Sequence, residues 1–433
     1  MHHFIGAAQR NAVLGYRYSS VDQSLVSRYV LGPYWNWLVT LFPTTIAPNM
    51  ITLLGLAFVV SNVVSLLWFD PVLEHATAVR RTLLEQRAEL PVVPLLPRFG
   101  NPGGDAGASG AGLPSWLLFV WAVCLFTYQS LDSIDGKQAR RTGMSSPLGE
   151  LFDHGCDALN TSLECILAFA AFGLGRSSVS LFLLVSSMAS FYLTTWEEYY
   201  THTLFLSVFS GPVEGILIVC VLFIVSGAAG GPAFFARGML SVLGIDGVPW
   251  VRAHLARANW SVGEVLAVGA ASGLFFNALT ACGNVVRRCR EQRVSIVRPL
   301  CALVPFAVQV AANVCWAEGN RRMVYEHAPA FVPFVLFWGL SFAYLVGIVI
   351  VAHVCRMPFP YWNVTCVVSI VGAVDANLPT PILQRTPGGT LGTVCAALAF
   401  SFALYAYFVV DVIQAMTAIT GKPCLRVAAA RRD

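Results

Sequence analysis

Charge is what this sequence has least of. Only 12% of its 433 residues are Asp, Glu, Lys or Arg, about half the share of an ordinary soluble domain, and the mean hydropathy is +0.67. That scarcity excludes a water-soluble globular chain. The net charge of +4 is dispersed among short loop clusters, and without a basic domain it argues against nucleic acid as a partner. The 12 cysteines include no CxxC pair and lie mostly inside apolar runs, as do Cys124, Cys165, Cys220 and Cys395. This excludes a disulfide framework and a zinc site and leaves small buried hydrophobes. Met1 to Arg10 shows no basic stretch leading into an apolar segment and a small-residue cleavage site, so no secretory signal is expected.

What is present is apolar length. Runs able to cross about 30 Å of hydrocarbon at about 20 residues each fall near 46–69, 113–131, 148–174, 178–196, 205–228, 263–286, 299–317, 331–354, 361–374 and 391–417. The expected fold is therefore an all-α polytopic membrane protein of about ten transmembrane helices. Lys137, Arg140 and Arg141 follow the second run, Arg287, Arg288, Arg290, Arg293 and Arg298 the sixth, and Lys422, Arg426, Arg431 and Arg432 the last. By the positive-inside rule these loops and the N-terminus face the cytosol.

Five regions are expected on this basis. Residues 1–45 form a cytosolic segment with an interfacial amphipathic helix, opened by Ser20 with Gln23 as a capping box and anchored by Tyr29, Tyr34, Trp35 and Trp37. Residues 46–228 form a first block of membrane helices interrupted by a run of acidic residues, 229–262 a polar lumenal insertion, 263–417 the remaining membrane helices, and 418–433 a cytosolic basic tail. A Pro/Gly-rich tract running from Asn101 to Gly112 within 70–114 has linker composition.

The chemistry concentrates between the second and third runs. Asp132 and Asp135 share a helix face, with Gly136 and Arg140 close to it. Ser146 and Pro147 have the look of an N-cap and first helical position, after which Gly149, Asp153 and Asp157 recur every four residues. Two antiparallel helices can thus turn four carboxylates toward one another. Such a cluster at membrane depth is severely penalised unless a cation lies between its members. Hard oxygen ligands suit Mg²⁺ or Mn²⁺, and two such ions about 3.5 to 4 Å apart serve phosphoryl transfer. Gly136 and Gly149 leave room for a phosphate or nucleotide against the backbone, and Arg140 can hold a phosphate.

The pattern Asp132-x2-Asp135-Gly136-x2-Ala139-Arg140-x8-Gly149-x3-Asp153-x3-Asp157 resembles, at every motif position, the signature of the CDP-alcohol phosphotransferase family. The resemblance implies a helical bundle with a cytosol-facing site in which Asp132, Asp135, Asp153 and Asp157 bind two metal ions while Gly136, Ala139 and Arg140 contact CDP. Tyr16-Arg-Tyr-Ser, Ala47-Pro-Asn-Met-Ile-Thr-Leu-Leu-Gly55, Leu151-Phe-Asp-His-Gly-Cys-Asp-Ala, Trp196-Glu-Glu-Tyr-Tyr-Thr-His-Thr and Gly211-Pro-Val-Glu-Gly are similar to the eukaryotic choline/ethanolamine branch. That branch implies transfer from CDP-choline or CDP-ethanolamine to diacylglycerol at an endoplasmic reticulum or Golgi membrane, with CMP released. It also implies a homodimer through membrane helices, for which Ala267, Gly269, Ala270 and Gly273 would suit close packing. An inositol-transferring relative, or an ion-coupled transporter using the same acids, is the alternative.

Other assignments are finer. Asn49 at the mouth of the first run either meets the nucleotide or caps a helix. Glu197, Glu198 and Glu214 are candidates to attract an ammonium headgroup, Glu214 foremost. Asp157 is offered by the family pattern as general base, but a carboxylate between two cations is a poor one. His154, whose unperturbed pKa near 6.5 suits neutral pH, is the preferred base, with Glu150 orienting it. His353 has no pattern suggesting a site, and Asp375 and Asp411 read as caps or interfacial acids.

Overall fold

A computed structural model describes residues 3–88, 113–206, 212–255 and 259–427. The tract from Asn101 to Gly112, Gly211, and Arg431 and Arg432 lie outside these. The long elements are helices: α1 (Arg10–Gly15), α2 (Gly32–Leu38), α3 (Pro48–Phe69), α4 (Glu74–Ala88), α5 (Ser115–Thr142), α6 (Pro147–Ala171), α7 (Ser178–Thr201), α8 (Pro212–Ala228), α9 (Val262–Gln292), α10 (Val304–Gly319), α11 (Phe331–Val354), α12 (Val364–Asn377) and α13 (Pro387–Thr420). Each of the ten apolar runs coincides with one of them. Among the described residues seven helices are long and apolar enough to cross a membrane, and α8 and α12 are shorter apolar helices. In α6, Glu150, Asp153, Asp157 and Glu164 interrupt the hydropathy, though its 25 residues give about 37 Å of helix at 1.5 Å per residue. The chain is an all-α polytopic membrane protein.

The bundle is organised around α11. Nearly all of its residues are buried, as expected of a helix apolar on every face, and it packs on α6 and α13. A Cβ on Gly339 would lie 2.2 Å from Ser162 Oγ, so the close approach of α11 to α6 requires glycine there. Around this core α3 packs on α5, α5 on α8, α7 on α9, and α10 on α12. The periphery exposes Trp68, Phe275, Phe276 and Leu279, the surface that hydrocarbon would cover. Asp375 accepts the amides of Ile382, Leu383 and Gln384, and Asp411 those of His3 and Phe4. Both acids are buried and fasten non-helical segments, so they act neither as helix caps nor as interfacial charges.

The N-terminal segment departs from expectation. Ser20 opens no helix: Ser20–Asp22 is a short strand, β1, paired in parallel with β2 (Leu204–Leu206). The helix starts four residues later, where Ser24 Oγ accepts the Ser27 amide at 2.9 Å in the manner of an N-cap. The backbone at Ser20 is engaged by the strand after α7, a partner far away in sequence. Tyr29 and Trp37 are exposed as interfacial anchors should be, but Trp35 is buried.

Residues 70–88, ahead of the tract with linker composition, are folded. Asp70 accepts the amides of Glu74 and His75 at 2.7 and 3.0 Å, capping the polar helix α4. That helix meets the insertion 229–262, itself folded into short helices, at one end of the bundle. Arg176 to Glu74 (2.7 Å) and Arg80 to Glu264 (3.1 Å) tie this end together.

Candidate active site

Two helices and one tight turn build the site. α5 ends at Gly143, whose φ of +66° is the left-handed conformation a glycine adopts without steric penalty. The Met144 amide returns to the Ala139 carbonyl at 2.9 Å, closing a Schellman-type cap. α6 then starts at Pro147 with Ser146 as N-cap residue, as expected, although the Ser146 side chain makes no capping bond. The antiparallel pair brings Asp132 of α5 and Asp153 and Asp157 of α6 together, with one carboxylate oxygen from each within 4.8 Å of the others.

These oxygens fit a divalent cation. Asp132 Oδ1 and Asp153 Oδ1 are buried without a hydrogen-bond partner, a costly state for carboxylates at this depth unless a cation compensates it. Tyr128 OH donates to Asp157 Oδ1, and Thr52 Oγ1 of α3 donates to Asp135 Oδ2 at 2.5 Å. Asp135 is thus turned toward α3 while remaining within electrostatic reach of Asp153. Hydroxyl donors of this kind orient ligand carboxylates.

Two glycines on the same helices stand close to polar side chains. The space where a Cβ on Gly149 would sit is 3.8 Å from Asn49 Oδ1, and that on Gly136 is 3.7 Å from Arg140 Nη1. Asn49 Nδ2 reaches Cys424 Sγ at 3.4 Å. The Arg140 guanidinium is exposed and forms no hydrogen bond with another described residue, which leaves its planar donors available to an anion. Ala139, one turn from Asp135, is half-buried beside it.

A second cluster occupies another face of α6. Glu150 and His154 stand with Glu198 of α7, again with ligand-type atoms within 4.8 Å. Tyr16 OH donates to Glu150 Oε1 at 2.7 Å and lies 3.3 Å from His353 Nε2, while Glu150 Oε2 is buried without a partner. Burial, reinforced by the Glu150 charge, raises the Tyr16 phenol above its ordinary pKa, so it stays a donor. A cavity of about 730 Å³ opens beside Tyr16, lined also by Tyr199, Tyr200, His202, His353 and Arg356. Burial and then the charges of Arg288 and Arg356 lower the His202 pKa, and its ring stacks on His353 with 5.5 Å between centroids.

Some placements correct the sequence reading. His353, which has no local pattern, belongs to this second cluster's surroundings. Glu197 and Glu198, both candidates for an ammonium headgroup, are only 1% and 3% exposed. Glu197 accepts from Asn284 Nδ2 at 2.6 Å, whereas Glu198 faces Glu150 and His154. Glu214 accepts from Ser24 Oγ and keeps its other oxygen, Oε2, buried and unpartnered.

Comparison with known proteins bears on this geometry. The family model described as CDP-alcohol phosphatidyltransferase matches residues 112–246, which include both halves of the aspartate hairpin. An uncharacterized CDP-alcohol phosphatidyltransferase class-I family protein of Schizosaccharomyces pombe is 35% identical over 95% of this chain and 94% of its own. Cholinephosphotransferase 1 of Saccharomyces cerevisiae is 31% identical, with 93% and 92% covered. Choline/ethanolaminephosphotransferase 1 of Arabidopsis thaliana is 31% identical, with 98% of each chain covered.

Proposed function

Because the chain belongs to the CDP-alcohol phosphatidyltransferase family, we propose that it transfers phosphocholine, phosphoethanolamine or both from the CDP-alcohol to the hydroxyl of diacylglycerol. The products are phosphatidylcholine or phosphatidylethanolamine and CMP. The observation that carries this reading is the convergence of Asp132, Asp153 and Asp157, the first two with unpartnered buried oxygens, joined to similarity over most of the chain with proteins named for these activities.

In this reading Asp132, Asp135, Asp153 and Asp157 hold two Mg²⁺ or Mn²⁺ ions, which when bound neutralise diphosphate charge and stabilise the leaving oxygen. Thr52 and Tyr128 orient two of the four carboxylates. Arg140 forks onto a phosphate, Gly136, Ala139 and Gly149 let the nucleotide approach the backbone, and Asn49 borders it. Glu214 offers its free oxygen to the ammonium headgroup. His154 takes the proton of the attacking hydroxyl, with Glu150 steadying the imidazole and Asp157 remaining a ligand. The hydroxyl oxygen bonds to the phosphorus that carries the alcohol, and the phosphoanhydride bond breaks so that CMP leaves.

The same reading places 46–228 as the catalytic unit, 263–417 as supporting membrane helices, and the site toward the cytosol of an endoplasmic reticulum or Golgi membrane. A homodimer through α9 belongs to it. Gly269 and Gly273 have nothing within 4 Å of an added Cβ, although Ala267 is buried within its own chain and is unavailable. The test is CMP release by purified protein with CDP-choline, CDP-ethanolamine or CDP-diacylglycerol, and diacylglycerol or inositol as acceptor. Release with the first two donors and diacylglycerol is expected. Release only with CDP-diacylglycerol and inositol would replace the reading with an inositol-transferring one, and ion flux without CMP would point to a transporter.

A further inference from the structure

The C-terminal segment does more than supply positive charge at the end of the chain. α13 stops at Gly421, whose φ of +69° turns the backbone, and the next residues run back across the aspartate hairpin. Lys422 Nζ donates to the Gly143 carbonyl at 3.0 Å and to the Ser145 carbonyl at 2.7 Å. Gly143 closes α5 and Ser145 precedes α6, so one ammonium spans the joint between the two halves of the site. Two residues later Cys424 meets Asn49, the residue that borders Gly149. Further up α13, Tyr405 OH donates to the Gly155 carbonyl at 3.2 Å, between Asp153 and Asp157. Three hydrogen bonds from this distant helix and its tail, two from Lys422 and one from Tyr405, thus fall on residues 143–155, the segment that sets where the carboxylates lie.

The joint has a mechanical reason to need such a strap. The α5–α6 connection is only 143–146, and the Gly143 and Ser145 carbonyls within it accept no backbone amide among the described residues, unlike that of Ser146, which accepts the Gly149 amide at 3.0 Å. The Gly143 cap fixes the end of α5, and the Ser146 side chain makes no bond that would fix the start of α6. The strap supplies a fixed point on the α6 side through Ser145. We propose that Lys422 is a positioning residue: by bridging the Gly143 and Ser145 carbonyls it holds Asp132 on α5 at the separation from Asp153 and Asp157 that a bound cation requires. This rests on the metal site proposed above.

The experiment compares the full-length purified protein with Lys422→Met and Lys422→Arg. Hydrogen exchange read by mass spectrometry reports on residues 139–149, and the free Mn²⁺ signal in electron paramagnetic resonance reports on cation uptake. In Lys422→Met, exchange at the joint should rise several-fold and Mn²⁺ affinity should fall several-fold, with the melting temperature held. Lys422→Arg, whose guanidinium can also donate to two carbonyls, should recover most of both. Unchanged exchange, or unchanged Mn²⁺ affinity, in Lys422→Met would overturn the positioning role, and so would failure of arginine to recover either. Wild-type protein that takes up no Mn²⁺ would overturn the metal reading itself, a result distinct from a mutant indistinguishable from a cation-binding parent.

Discussion

One helix, α6, carries two clusters whose origins differ. Asp153 and Asp157 face Asp132 across a four-residue turn, so this cluster is assembled by neighbours in sequence. Glu150 and His154 face Glu198, Tyr16 and, through Tyr16, His353, drawn from α7, the N-terminal segment and α11. The first is a set of hard oxygens with unpartnered atoms, suited to a cation and to phosphate chemistry. The second mixes carboxylates, an imidazole and a phenol, suited to holding and moving a proton. A helix with a 3.6-residue period can serve both because positions 150 and 154 form one row and positions 153 and 157 another.

Substitutions should separate the two faces. The largest effect is expected on the aspartate row: Asp153→Ala should lower turnover by about three orders of magnitude or more, because charge neutralisation at the diphosphate depends on it, while the protein still folds. Parent-like turnover in that variant would break the hairpin account. Next, His154→Ala should reduce kcat by about 10²- to 10⁴-fold, the usual worth of general acid–base help, yet leave Mn²⁺ uptake and CDP binding as in the parent. Normal turnover would return the base role to Asp157, and lost Mn²⁺ uptake would mean the two clusters are not separate in function.

Two smaller effects sharpen the comparison. Arg140→Lys should weaken use of the CDP-alcohol by about tenfold in apparent affinity, with diacylglycerol use little changed, since a lysine cannot fork onto two phosphate oxygens. Equal effects on both substrates would assign Arg140 to carboxylate pairing instead. Tyr16→Phe removes one donor from Glu150 and should cost about three- to tenfold in kcat, within the range expected for a typical single hydrogen bond of about 0.5–1.5 kcal/mol. Because burial and Glu150 raise the Tyr16 phenol, the effect should persist into alkaline solution. A Tyr16→Phe defect that vanished above neutral pH would contradict a neutral phenol donor.

How much of this was legible beforehand follows the same division. The aspartate rows, the helix start at Pro147 and the ten apolar runs could be read because helical period and hydropathy are local properties. Glu198 could not be weighed correctly: its burial depends on how α7 packs, and the adjacent Glu197 offers the same local sequence but a different partner, Asn284. Tyr16 stood inside a recognisable motif, yet nothing near it announces a bond to residue 150. Ser20 had the right chemistry for a cap and lost to Ser24 because the backbone at residue 20 pairs with β2. Lys422 read as a topology charge, since two carbonyls some 280 positions away leave no trace in local pattern.

The central claim is that the carboxylate hairpin works through bound divalent cations on a CDP-alcohol donor. Its most direct test is CMP release by the purified protein, given CDP-choline or CDP-ethanolamine and diacylglycerol, as chelator is added and Mg²⁺ or Mn²⁺ is then restored. Release should vanish with EDTA and return with either metal, matched by phosphatidylcholine or phosphatidylethanolamine formation; full activity in EDTA would contradict the account.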